Sequence, residues 1–261
     1  MDEKLSSIID KYWNDFVSHR NKEFVVNPSI PIIWFGDMEA YLNSSFKVVT
    51  VAINPSDVEF NPTKKEIKAG KESHFLRFSK AESIYNRDYL DSNSKEILFD
   101  TLNNYFKDTP YTKWFNWFER SLLLFKNKVS YYPNIAPNNA VHIDIYSALA
   151  TTPTWGKLTQ QNKNVITNID LFKELLHYLN PDVVIFSGNY DVFKKTFNPE
   201  GASPLAEYNY KAENAKYAYK IMPYHLNNKL IIFGSNVQGN PLQLKEEFIK
   251  NAFDEILKNY L

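Results

Sequence analysis

The chain reads as a three-layer α/β/α sandwich around a central, mostly parallel sheet of four to five strands. Three observations carry that reading. Short β-branched runs recur along the chain, at Val48-Val49-Thr50-Val51, at Asp182 to Ser187 and at Lys229 to Gly234. Unbroken apolar runs of this length suit strands buried on both faces, as in parallel sheets. The intervening stretches are long enough for parallel crossovers, and several show helical periodicity.

Residues 3–20 bring Leu5, Ile8, Ile9, Tyr12, Trp13 and Phe16 onto one face, so an amphipathic helix lies within an N-terminal helical extension, residues 1–30. The first strong strand spans residues 46–53 and stops at Asn54-Pro55-Ser56, because proline cannot donate to a ladder. A polar loop follows, from Pro55 to about Arg77. Residues 95–107 and 112–127 read as helices, the second carrying Trp114, Phe115, Trp117, Phe118, Leu122 and Leu123. Residues 140–146 alternate as a strand does. Residues 171–179 are helical and end before Asn180-Pro181, since a residue preceding proline disfavours the helical region. The strand at 182–187 is closed by Gly188-Asn189. A short strand fits residues 217–223, a stronger one 229–234, and a final helix 242–260. With no internal repeat, low-complexity tract or linker, residues 1–261 read as a single domain.

Composition narrows the functional classes. Hydrophobic residues make up 44% and aromatic residues 16% of the 261, which suits a folded domain with a substantial core. The chain has no cysteine, so disulfides and thiolate chemistry are excluded and a structural zinc site is disfavoured. No apolar run reaches the roughly 18 residues of a membrane span, so no membrane partner is expected. The charged, amphipathic start lacks an apolar signal core, and a cytoplasmic location is expected. Thirty basic and thirty acidic residues give zero net charge, which argues against a binder that neutralises many DNA phosphates. The local cluster Lys64, Lys65, Lys68, Lys71 and Arg77 is interleaved with Glu66 and Glu72, and so reads equally as a solvated helix face.

Candidate chemistry gathers at strand ends, where open α/β sheets place their ligands. Four ends are polar: Asn54-Pro55-Ser56, Asp144 with Ser147, Ser187-Gly188-Asn189, and Ser235-Asn236. Dinucleotide, Walker, nucleophile-elbow and metalloprotease signatures are all missing. His142 and Asp144, two apart on a strand, face the same side and form either an acid/base pair or a structural one. The following Ser147 to Trp155 stretch is rich in hydroxyls, suiting a pocket rim or a capped helix start. Glu59 and Phe60 offer a carboxylate to polarise water and a ring to stack a planar ligand, with a core role for Phe60 as the other reading. No metal-ligand cluster stands out.

The strand ending Ala52-Ile53-Asn54-Pro55-Ser56 resembles the first motif of the uracil-DNA glycosylase superfamily, in the Gly-Ile-Asn-Pro-Gly form of the mismatch-specific uracil and thymine glycosylases. The order is similar too: a long loop, Arg77-Phe78, a strand with Asp144-Ile145, a strand ending near glycine, and a last loop Ser235-Asn236-Val237-Gln238-Gly239. The resemblance covers about residues 30–255. Ala52 stands where the family has glycine, and the last loop lacks the family's His-Pro-Ser or Asn-Pro-Ser. The resemblance implies a metal-independent and cofactor-free N-glycosylase that hydrolyses the bond to a flipped base in DNA. It implies Asn54 as the residue that positions water; Glu59 and Asp144, read above as candidate carboxylates, join it as the expected catalytic set. Pro55, Ser56, Phe60, Phe78, Ser187, Asn189, Ser235, Asn236 and Gln238 would then bind substrate. Two other expectations stay open: a catalytically inactive nucleic-acid or nucleotide-binding module of the same fold, and a hydrolase of small nucleosides.

Overall fold

The computed structural model describes residues 1–126, 128–211, 218–237 and 240–261, without the side chains of Asn236 and Val237. Its elements begin with α1 (Glu3–His19), α2 (Met38–Asn43), β1 (Val48–Ala52), α3 (Lys64–Lys68), α4 (Ser92–Asn103) and α5 (Thr112–Leu122). There follow β2 (Val129–Ser130), β3 (Asn138–Asp144), α6 (Gln160–Ile166), α7 (Ile169–Leu179), β4 (Val183–Gly188) and α8 (Tyr190–Thr196). The chain closes with β5 (Tyr208–Tyr210), β6 (Tyr219–Leu226), β7 (Lys229–Val237), β8 (Asn240–Pro241) and α9 (Glu246–Tyr260).

One mostly parallel sheet flanked by helices runs β2-β3-β1-β4-β7-β6-β5, and β8 pairs with β7. The α/β sandwich expected from the sequence is therefore present, with a larger sheet than four to five strands. In its centre β4 lies parallel to β1 (Val48↔Val183 to Val51↔Phe186) and to β7 (Val183↔Leu230 to Gly188↔Ser235). Every residue of β1 and β4 is buried, which is why both read as continuous apolar runs. The enlargement comes from the short strands β2, β5 and β8, while β6, expected over 217–223, is antiparallel to β7 rather than joined by a crossover. A two-residue hairpin makes that reversal. Asn227 and Asn228 both take positive φ, 52° and 60°, as the twist-matched hairpin turn requires.

By contact density the described chain falls into two units. The first comprises Met1–Glu39, Ile53–Tyr111 and His142–Asn180; the second comprises Ala40–Ala52, Thr112–Val141 and Pro181–Leu261. In the first, Asp2 caps α1 by accepting from Leu5 N at 2.8 Å, and the stripe from Leu5 to Phe16 is buried. This helix packs on α7, across which Lys11 and Glu174 pair at 2.6 Å. Asn168 caps α7, and Asn180 closes it in the left-handed conformation (φ 41°) just before Pro181. The polar loop after β1 holds α3, opened by a capping box between Thr63 and Glu66. In the second unit, α9 buries Ile249, Ala252, Phe253 and Ile256, with Phe253 edge-on to Phe125. No described helix is long and apolar enough to cross a membrane.

Candidate functional site

Two polar strand ends meet in the first unit. Beyond β1, Ile53 O accepts from Tyr146 N at 3.1 Å and Pro55 O from Thr151 N at 3.3 Å. Ser56 and Thr151 form a further bridge. The segment after β3 is thus zipped onto the Asn-Pro-Ser turn. The turn holds its asparagine firmly: Asn54 Nδ2 donates to Pro55 O (2.7 Å), Thr151 Oγ1 (3.1 Å) and Leu149 O (3.4 Å). With the amide N–H groups committed, its Oδ1 has no partner among the described residues. A fixed, half-buried carbonyl oxygen of this kind is suited to accepting a hydrogen bond from a water and so aiming that water's lone pair.

Five residues on, Glu59 is buried, and Tyr105 Oη donates to its Oε2 at 2.7 Å. Arg77 Nε lies 3.9 Å from the same oxygen, while Arg77 Nη2 donates to Glu66 Oε1 at 2.5 Å. The guanidinium is fully buried, 5.7 Å from the Tyr111 ring, and its Nε and Nη1 have no hydrogen-bond partner. Burial pushes the Glu59 carboxyl up to about 7, against the opposing pull of Arg77 and of the Tyr105 hydrogen bond; the Asp144 charge raises it further. A carboxyl poised there takes up or releases a proton near neutral pH.

His142 and Asp144 do share a face of β3, with Nε2 and Oδ1 3.7 Å apart, too far for a hydrogen bond. Asp144 is held above the ordinary carboxylate range by burial, which His142 opposes, and its Oδ1 makes no hydrogen bond. Asn54, Glu59 and Asp144 therefore all belong to the first unit, two of them as buried carboxyls. Among the described residues no group of three or more His, Asp or Glu side chains is placed to hold a metal ion.

The aromatic residues of the following loop are placed differently from what a stacking role needs. Phe60 is wholly buried against His74, Phe75 and Phe78, and Phe78 is itself buried and stacked on Tyr105. Their rings form the core beneath the loop. Pro55 is buried and Ser56 half-buried at the turn.

No protein-family model and no curated protein matches this chain.

The other two polar ends meet in the second unit, where Gly188 and Ser235 are register partners at the ends of β4 and β7. A cavity of about 1000 Å³ opens there, lined by Asn189, Tyr190, Glu207, Tyr219, Lys220 and Ser235 among others. Asn189 caps α8, its Oδ1 accepting from Asp191 N at 2.7 Å. Ser235 Oγ accepts from Lys220 N at 3.0 Å, and Lys220 Nζ pairs with Glu207 at 2.7 Å. Ser187 is buried beneath. Asn236 is described through its backbone, paired with Pro241, and Gln238 lies outside the described residues. The sequence reading singled out neither Tyr105 nor Lys220; only the hydrophobic neighbours of Tyr105 and the mixed charge near Lys220 were visible in the chain.

Proposed function

We propose that this protein is a metal-independent N-glycosidase, hydrolysing the bond between a nucleobase and its sugar with Asn54 as the water-positioning residue. The observation that carries the proposal is the Asn54 amide, pinned by three acceptors with Oδ1 left to hold a water. In the reaction the C1′–N bond breaks through an oxocarbenium-like state and the water oxygen bonds to C1′. One water proton passes to a carboxylate and the departing base takes up a proton. Glu59 is the acceptor best suited, because a carboxyl raised to about 7 exchanges a proton at neutral pH. Asp144 adds negative charge that favours the cationic sugar. DNA with a flipped base and a free nucleoside or nucleotide are both substrates of this chemistry, and the zero net charge suits a substrate held through few phosphates.

A second reading has its own support: the burial of Phe60 and Phe78 removes the loop rings that would stack a base, as in a binding module without the chemistry. Base release separates the two. Oligonucleotides carrying uracil, mismatched thymine or damaged bases, together with free nucleosides, are incubated with the protein and the free base is quantified by chromatography. Release by the wild type, falling at least about 100-fold in an Asn54→Ala variant that remains folded at the assay temperature, is the expected result. Undiminished release by the variant overturns the role of Asn54, and no release from any substrate leaves the binding module.

A further inference from the structure

If Phe60 and Phe78 are closed off, a base held at the Asn54 turn needs another ring. Tyr146 follows β3 by two residues and is tied to the turn by its N–H, which donates to Ile53 O at 3.1 Å. Its ring stacks on Trp155, with centroids 5.2 Å apart and planes inclined by 20°. Both rings are half-buried, whereas the residues between them at 152–154 and after them at 156–157 are exposed. Among the described residues neither ring makes a second aromatic contact, so the pair is not part of the aromatic core that encloses Phe60.

Two lysines lie beside the pair. Lys163 Nζ lies 6.0 Å from the Trp155 centroid, and Lys157 sits two residues beyond Trp155. No carboxylate among the described residues pairs with either lysine. Two stacked rings flanked by two uncompensated cations and hydroxyls at Thr152 and Thr154 match a base and its adjoining phosphates.

We propose that Tyr146 and Trp155 form the platform on which an unpaired nucleobase stacks, with Lys157 and Lys163 meeting its flanking phosphates. This rests on the reading of Asn54 as the reacting end of the same site. Two cations supply few phosphate contacts, so the substrate class that fits is a single strand or a free nucleotide, its base already unstacked, rather than intact duplex.

Binding of a fluorescein-labelled oligothymidine to the full chain, followed by anisotropy at low salt, tests the platform. Competition by unlabelled duplex of equal length and by thymidine monophosphate distinguishes the sources of the base. Trp155→Ala and Tyr146→Ala are expected to weaken binding about ten-fold each, and the Phe replacements to keep it within about two-fold. Lys163→Ala lowers the salt dependence of binding. Because an alanine variant can fail to fold, intrinsic fluorescence provides a second readout: oligothymidine quenches the wild type, and the Trp155-dependent part of that quench is missing in Trp155→Phe. Wild-type affinity in a folded Trp155→Ala variant overturns the platform, as does quenching unchanged in Trp155→Phe, or duplex competing better than single strand. Asn54→Ala separates the two proposals. Lost base release with retained binding supports both, and binding without any base release upholds the platform while the glycosidase reading fails. Base release with no effect at Tyr146 or Trp155 does the reverse.

Discussion

The two places where polar strand ends meet handle charge in opposite ways. In the first unit the ionisable groups are inside: Glu59, Arg77 and Asp144 are buried, and Arg77 Nε and Nη1 and Asp144 Oδ1 lack hydrogen bonds. In the second unit the corresponding ends open into a cavity of about 1000 Å³, and its ion pair, Lys220 with Glu207, stands in solvent. Buried charges are costly and tolerated where something is gained from their altered proton affinity. Exposed pairs cost little and do little. The contrast shows where perturbed ionisable groups are concentrated at the strand ends: inside the first unit, while the second unit's ends line an open cavity with an exposed pair.

Breaking the buried cluster gives the largest expected effect. Arg77→Met removes the cation facing both Glu59 and Glu66 and leaves buried Glu59 with the Tyr105 hydrogen bond and no facing cation. Loss of one member of a buried pair costs about 3–5 kcal/mol, to be read as a lower urea midpoint at neutral pH. Without Arg77 the Glu59 carboxyl is raised further and folds protonated at neutral pH, so acid should partly restore that variant by protonating the unfolded chain's carboxyl as well.

The pH dependence of the wild type sharpens the same point. Glu59 titrates at about 7 folded against its ordinary 4.5 unfolded. Between these values the native state holds more protons than the unfolded state, so stability falls as pH rises from about 4.5 to about 7 and levels off above. The full span amounts to on the order of 3 kcal/mol. Asp144, shifted in the same direction, adds to the slope. Glu59→Gln should flatten most of it in urea titrations run across that range. The same variant should remove the rise of base release through neutral pH if Glu59 is the proton acceptor. An unchanged slope means Glu59 does not titrate as its burial requires.

How much of this was legible in the chain follows from how local each signal is. β1, β4 and β7 were visible because each is a self-contained β-branched run, and Asn54 because it sits where such a run stops. β6 was only half visible: Lys220, Pro223 and His225 interrupt its apolar pattern, and the Asn227-Asn228 turn that pairs it with β7 was the stronger, unread sign. The burial of Glu59 could not be read, because Tyr105, which receives it, is 46 residues away. Phe60 belongs to a loop of polar composition whose inward face is made by His74, Phe75 and Phe78, and only their meeting in space closes it off.

Two smaller effects come from the second unit. Gly234 lies on β7, and a Cβ there would collide with Leu242 Cδ2. Leu242 is fully buried and already in a positive-φ conformation (50°), so it has little room to yield. Gly234→Ala should cost about 1–3 kcal/mol by overpacking, again measured as a shift in urea midpoint. The smallest effect is expected at the cavity rim. Lys220 and Glu207 are each roughly two-fifths exposed, so water solvates both when the pair is broken, and holding two long side chains together costs rotamer entropy. Lys220→Ala should change stability by less than about 1 kcal/mol and leave base release unaffected. The backbone N–H of residue 220 still donates to Ser235 Oγ in that variant, so the β6–β7 edge keeps its geometry without the charge. A loss comparable with Arg77→Met would mean that the exposed pair is coupled to the sheet, and the contrast between costly buried charge in the first unit and inexpensive exposed charge in the second would fall with it.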